Sequence, residues 1–140
     1  MSLPNQTVQL AATNDLGWCV FSLPQQAVQV DFGTSGLVMS QAAYTDLLRI
    51  AQGGLIAFAR DQLSNGSLAQ TTLHRQVLWI EDHQVFAVCF DGAIFRFDAD
   101  HFVAFVDLIL NGGTALQLLE AAYPAHINSP TQSFSSFSLN

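Results

Sequence analysis

A strand, a two-residue turn, a second strand and a helix follow one another between Gln84 and Gly113, and the same plan is written earlier, between Gln26 and Gly54. Val85 to Phe90 and Ala93 to Phe97 are runs of aromatic and aliphatic residues. The Asp91-Gly92 between them suits a type I′ hairpin, whose two central residues both need positive φ. Such a turn sets Phe90 opposite Ala93, Cys89 opposite Ile94, Val88 opposite Phe95 and Phe86 opposite Phe97. Alternation then gathers Phe86, Val88, Phe90, Phe95 and Phe97 on one side, which is a core face. The other side holds Val85, Ala87, Cys89, Ile94 and Arg96, an apolar set for a surface. Asp98 is placed to cap a helix running to Leu110, with Asn111-Gly112-Gly113 as its stop. Phe102, Phe105, Val106 and Ile109 form one helical stripe, while Val103, Leu108 and Leu110 fall elsewhere around the helix. Apolarity on nearly every side calls for burial on more than one side.

An offset of 58 residues lays the earlier half on the later one without a gap: Phe32 on Phe90, Val30 on Val88, Tyr44 on Phe102, Leu47 on Phe105 and Gly54 on Gly112. A Gly33-Thr34 turn puts Val28, Val30, Phe32, Leu37 and Met39 on one face, with Gln29 and Asp31 on the other. Ser40 caps a helix that the glycines at 53 and 54 would stop, with Tyr44, Leu47, Leu48 and Ala51 inward. The expected fold is therefore α+β: two antiparallel β-meander plus helix modules, a pseudo-duplication of three strands each, with the helices on one sheet face.

Val8 to Ala12 and Trp18 to Leu23 read as further strands, Leu55 to Leu63 as a possible continuation of the first helix, and Ser64-Asn65-Gly66-Ser67 as a loop. With Asp82-His83 as the turn, Gln76 to Ile80 brings Val77 and Trp79 to the Phe86 face. Thr114 can cap a separate short helix, about 114–122, which Pro124 ends. Residues 1–127 thus read as a single globular domain with modules at about 17–54 and 76–113. The Ser-rich, uncharged stretch 128–140 reads as a disordered tail.

Half of the 140 residues are hydrophobic and 11% are charged, well under the usual quarter, so part of the surface is expected to be covered by another subunit. A net charge of −7 with four basic residues argues against nucleic acid and anionic membranes as partners. No unbroken apolar run reaches the roughly 20 residues of a membrane span, and the first residues lack a signal-peptide pattern. Two cysteines without a framework fit a reduced, cytoplasmic setting.

Val30-Asp31-Phe32-Gly33-Thr34, followed by Leu37 and Ser40, resembles a small uncharacterised bacterial family, a domain of unknown function, over about the first 50 residues. Members of that family carry a Cys-x-x-Cys pair about ten residues before the Phe-Gly-Thr. Here the first position is Cys19 and the second Ser22, so the pair that a shared metal or redox role would use is incomplete.

Acid and imidazole cluster only at Glu81-Asp82-His83 and at Asp98 to His101. As a metal site, His83, Asp82, His101 and Asp100 suit zinc or manganese. Turn geometry and helix capping account for the same acids without a metal. Cys89 alternates with core residues and reads as a packed hydrophobe, as does Cys19. No nucleophile elbow or phosphate-binding glycine loop is present, and no cofactor is implied.

Three functions are open. The first is a non-catalytic interaction module acting as a homodimer through Val103, Leu108, Leu110 and Ile94. The second is a small-molecule binder with a pocket between the sheet and residues 55–63, lined by Trp18, Tyr44 and Phe58. The third is a metal-dependent enzyme using His83 and His101.

Overall fold

The structure, a computed structural model, describes residues 7–13, 17–22, 26–33 and 35–122. The expected tail at 128–140 lies outside the described residues. Two antiparallel four-stranded sheets and two helices make an α+β fold. The first sheet orders β1 (Thr7–Thr13), β2 (Gly17–Ser22), β3 (Ala27–Phe32) and β4 (Ser35–Ser40), and leads into α1 (Gln41–Ala59). The second orders β5 (Gly66–Thr72), β6 (Arg75–Ile80), β7 (Val85–Phe90) and β8 (Ala93–Phe97), and leads into α2 (Ala99–Ala122).

The hairpin register is the expected one: Phe90 pairs with Ala93, Cys89 with Ile94, Val88 with Phe95 and Phe86 with Phe97. Asp91 and Gly92 both have positive φ, 53° and 95°. The caps stand as well. Asp98 Oδ1 accepts from the His101 amide at 2.8 Å, and Ser40 Oγ accepts from the Ala43 amide at 3.1 Å.

Each sheet has four strands, not three. In the second sheet the additional strand is β5, whose Gly-Ser-Leu-Ala-Gln-Thr-Thr is polar and lacks strict alternation. It is an edge strand with two register shifts against β6, so one side of its backbone needs no partner and its side chains need little burial.

Neither glycine pair stops its helix. α1 runs through Gly53 and Gly54 to Ala59, and α2 runs through Gly112 and Gly113 to Ala122, absorbing the separate helix expected at 114–122. The reason is close packing. A methyl on Gly54 would lie 2.8 Å from Phe102 Cζ and 2.9 Å from Val77 Cγ1. On Gly112 it would lie 2.5 Å from Tyr44 Oη and 2.9 Å from Cys19 Sγ. These positions need the absence of a side chain, and they tolerate the helical backbone that goes with it.

The chain divides into two compact units, Met1–Thr45 with Leu108–Asn140, and Asp46–Asp107. The boundaries cut both helices, so α1 starts in the first unit and continues in the second, and α2 does the reverse. In the first unit Cys19, Phe21, Val28, Val30 and Phe32 are buried, with Ala43 and Tyr44 of α1 and Leu108, Ile109 and Leu116 of α2. In the second the core is aromatic. Phe86 stacks on Phe102 at 4.0 Å between centroids, meets Phe58 and Trp79 edge-on, and Phe97 stacks on Phe105.

Here lies the use of the spare apolar circumference of α2. Its first half supplies Phe102, Phe105 and Val106 to one core, and its second half supplies Leu108 and Ile109 to another. Unbroken, α2 spans 24 residues with a window of mean hydropathy 1.6, long and apolar enough by length and composition to cross a membrane. This corrects the expectation that no segment reaches that length. Phe102, Phe105, Val106, Leu108 and Ile109 of this helix are fully buried against protein, while Val103 and Leu118 are exposed.

Candidate functional site

The second sheet has a face the helices do not use. Val77, Trp79, Phe86, Val88, Phe90 and Phe97 point into the core, so pairing and alternation send Gln76, Leu78, Ile80, Val85, Ala87, Cys89, Ile94 and Arg96 to the opposite side. Ala87 is buried, Leu78, Ile80, Val85 and Cys89 are half-buried, and Ile94 is 59% exposed. At the β6–β7 turn end of this face, Ile80, His83, Val85 and Arg96 line an open, almost wholly apolar hollow of about 420 Å³. Ile80 and Val85 face each other across the β6–β7 pair, and the turn that joins them carries His83. Burial pushes the Cys89 thiol upward, and the nearby Arg96 charge opposes that shift.

The turn itself is well tied. Glu81 accepts from Trp79 Nε1 at 2.6 Å and from Gln84 Nε2 at 3.2 Å, and its amide donates to Asn65 Oδ1. Gln84 adopts the left-handed conformation that closes the turn, φ 54°.

At the other end of the sheet Arg75 is the most heavily engaged charge among the described residues. Its Nε and Nη2 donate to the two carboxylate oxygens of Asp91 at 2.8 Å each, and Nη1 donates to Asp46 of α1 at 2.9 Å. The guanidinium also lies 4.8 Å over the Phe90 ring. These hydrogen bonds hold Asp91 below the usual carboxylate range and Arg75 above its ordinary value. Sequence reasoning missed this clamp, because its three charges are distant in the chain and only the fold brings them together.

The residues singled out from sequence are placed as follows. Asp100 is in the first turn of α2, and His101 Nδ1 lies 2.8 Å from Asp98 Oδ1, a contact within the helix cap. The capping amide and imidazole of His101 lower the Asp98 carboxyl. Asp82 and His83 are exposed in the β6–β7 turn. Among the described residues no three His, Cys, Asp or Glu side chains come together as a metal would require, so the four expected ligands do not form a site.

Of the expected pocket residues, Trp18 is half exposed on the helix-free face of the first sheet, and Phe58 packs edge-on against Phe86. Tyr44 is 1% exposed, with its hydroxyl donating to the Ile109 carbonyl and accepting from the Cys19 thiol. It is a packing residue, closed to ligand. Cys19 is likewise sealed in, and burial lifts its thiol to about 11, too high for a nucleophile.

Of the self-association set, Ile94 and Val103 are exposed and Leu110 is half-buried. Leu108 is fully buried within the single chain and offers no surface to a partner, because α2 turns that side into the first unit's core.

Comparison with known proteins gave no match to any family model, any curated protein or any solved structure.

Proposed function

We propose that the protein is a small, non-catalytic cytoplasmic interaction module that pairs with a second copy of itself through the helix-free face of its second sheet. The observation that carries this is the apolar row Leu78, Ile80, Val85, Ala87, Cys89 and Ile94, on the side of the sheet that α1 and α2 do not cover. An antiparallel sheet that faces water normally alternates apolar with polar residues, and across β6 to β8 this one carries an apolar row on its second side too, with Gln76 and Arg96 as its polar members. A twofold pairing would place one such face against the other. Cys89 lies within the face as a free thiol, which suits a reducing compartment.

The size of the patch sets the strength. Three strands spaced ~4.8 Å apart with a rise of ~3.3 Å per residue present roughly 300 Å², against about 800 Å² per partner in a stable complex. Association is thus expected to be weak and reversible, with a dissociation constant on the order of 100 μM. Sedimentation equilibrium from about 10 μM to 1 mM tests this, with the mean mass expected to climb toward twice the 15.2 kDa of one chain. Ile94→Asp should keep the mass at that of the monomer while leaving the melting temperature within a degree or two, since Ile94 is exposed. A wild-type mass that stays flat over the whole range refutes the proposal.

A further inference from the structure

The geometry points to the hollow between Ile80, Val85, His83 and Arg96 as a binding site for an amphipathic organic anion, in the simplest case a medium-chain carboxylate. The inference does not rest on self-association, since the four described lining residues come from one chain and one compact unit; Ile80 and Val85 also belong to the row proposed to pair, so an occupant of the hollow and a second copy would compete for that end of the face.

Volume and lining suit a small apolar body. About 420 Å³ falls within the range of small-molecule sites, and Ile80 and Val85 supply adjacent β-branched walls. Charge selects the sign of the head group. The chain carries four basic residues against eleven acidic ones. Arg75 is occupied by Asp91 and Asp46, whereas no carboxylate among the described residues pairs with Arg96. In the turn that carries His83, Glu81 is held by Trp79 and Gln84, and the exposed Asp82 makes no ion pair with Arg96. Arg96 lines an apolar hollow, is exposed and has no acidic partner among the described residues, and a guanidinium of that kind can take a carboxylate on two parallel hydrogen bonds. His83 lines the same hollow.

The test is a titration of the intact chain with sodium octanoate, read by amide shifts in heteronuclear NMR, with octylammonium and octanol as probes of equal length. Octanoate is expected to shift the amides from Ile80 to Val85 and at Arg96, and each methylene removed should weaken it by about threefold. Arg96→Gln, at an exposed position that leaves the fold intact, should weaken octanoate by tenfold or more. Val85→Trp, which fills the hollow, should abolish the shifts. Octanol or octylammonium binding as tightly as octanoate would overturn the assignment. So would an Arg96→Gln variant that binds octanoate as the parent does, the result expected if Arg96 serves only to blunt an edge strand. Absence of any shift at millimolar octanoate would overturn it as well.

Discussion

Gly112 rests against Cys19 and the Tyr44 hydroxyl, while Gly54 rests against Val77 and Phe102, and these partners stand at the same positions of the 58-residue repeat. The geometry is shared and the chemistry differs. In the second unit the seat is wholly apolar and continues into the Phe58, Trp79, Phe86 and Phe102 ring cluster. In the first unit the seat is polar at its centre. Tyr44 donates to the Ile109 carbonyl, and burial together with the Cys19 thiol drives its phenol far above its ordinary value, so it stays a neutral donor. The contrast extends to the helix-free faces. Gln29, hydrogen-bonded to Asp31 at 2.9 Å, shares that of the first sheet with the exposed Trp18 and Val38, whereas the second sheet's is a row of Leu78, Ile80, Val85, Ala87, Cys89 and Ile94 with Gln76 and Arg96 beside it. One plan thus yields two helix-free faces of different make-up, one interrupted by the Gln29–Asp31 pair and one with a continuous apolar row.

The largest effects expected are those that test the two cores. Phe86→Ala removes the ring that three others contact and should cost about 4 kcal/mol, against roughly 2 kcal/mol for Val28→Ala at the equivalent place in the first sheet. Urea denaturation measures both, and equal losses would show that the aromatic cluster confers no special stability on its unit.

The glycine seats come next. Gly112→Ala forces a methyl onto the Cys19 sulfur and the pinned Tyr44 oxygen and should lose about 3 kcal/mol. Gly54→Ala meets the side-chain ends of Phe102 and Val77 and recovers about 1 kcal/mol of helix propensity, so about 1–2 kcal/mol is expected. A reversed order would mean that the polar seat is the more yielding of the two.

Tyr44→Phe makes the first seat resemble the second. It leaves the Ile109 carbonyl without its phenol donor in a buried site and should cost about 1–2 kcal/mol. A neutral outcome in thermal melts would mean the hydroxyl is dispensable and the two seats are energetically alike.

The smallest effect concerns the clamp that only the second unit has, since Gly17 stands at the repeat position of Arg75. Asp91 titrates lower in the folded chain than in the unfolded one because Arg75 holds its carboxylate. The unfolded chain therefore binds more protons near pH 4, and the clamp's contribution is fully present above that pH and lost as pH falls through the folded value. Asp91 is 49% exposed, and solvent screening limits the contribution to about 1 kcal/mol. Arg75→Met should accordingly destabilise at pH 7 and flatten the acid limb of stability between about pH 5 and 2. An unchanged acid limb would place the pH dependence elsewhere.

The Asp91-Gly92 turn, the Ser40 and Asp98 caps and the alternation of Phe86, Val88 and Phe90 were all legible in order along the chain. Each is a local signal, decided by φ, by a side chain reaching its own backbone, or by a period of two. The free apolar face was legible too, since it follows from register once the turn is fixed. The hollow at its end was not. It depends on how the turn from Glu81 to Gln84 leaves Ile80 and Val85 with Arg96 beside them, and no spacing in the chain announces that.

By itself, then, the sequence determined the repeat, the registers of the tight hairpins, the helix starts and the division of those hairpins' residues between sheet faces, because neighbours in the chain settle those through backbone geometry and alternation. Only the tertiary structure decided where the helices end and what the spare apolar side of α2 is for. A glycine pair reads equally as a stop or as a place where two surfaces touch, and the choice depends on the atoms opposite: Cys19 and Tyr44 for Gly112, Val77 and Phe102 for Gly54.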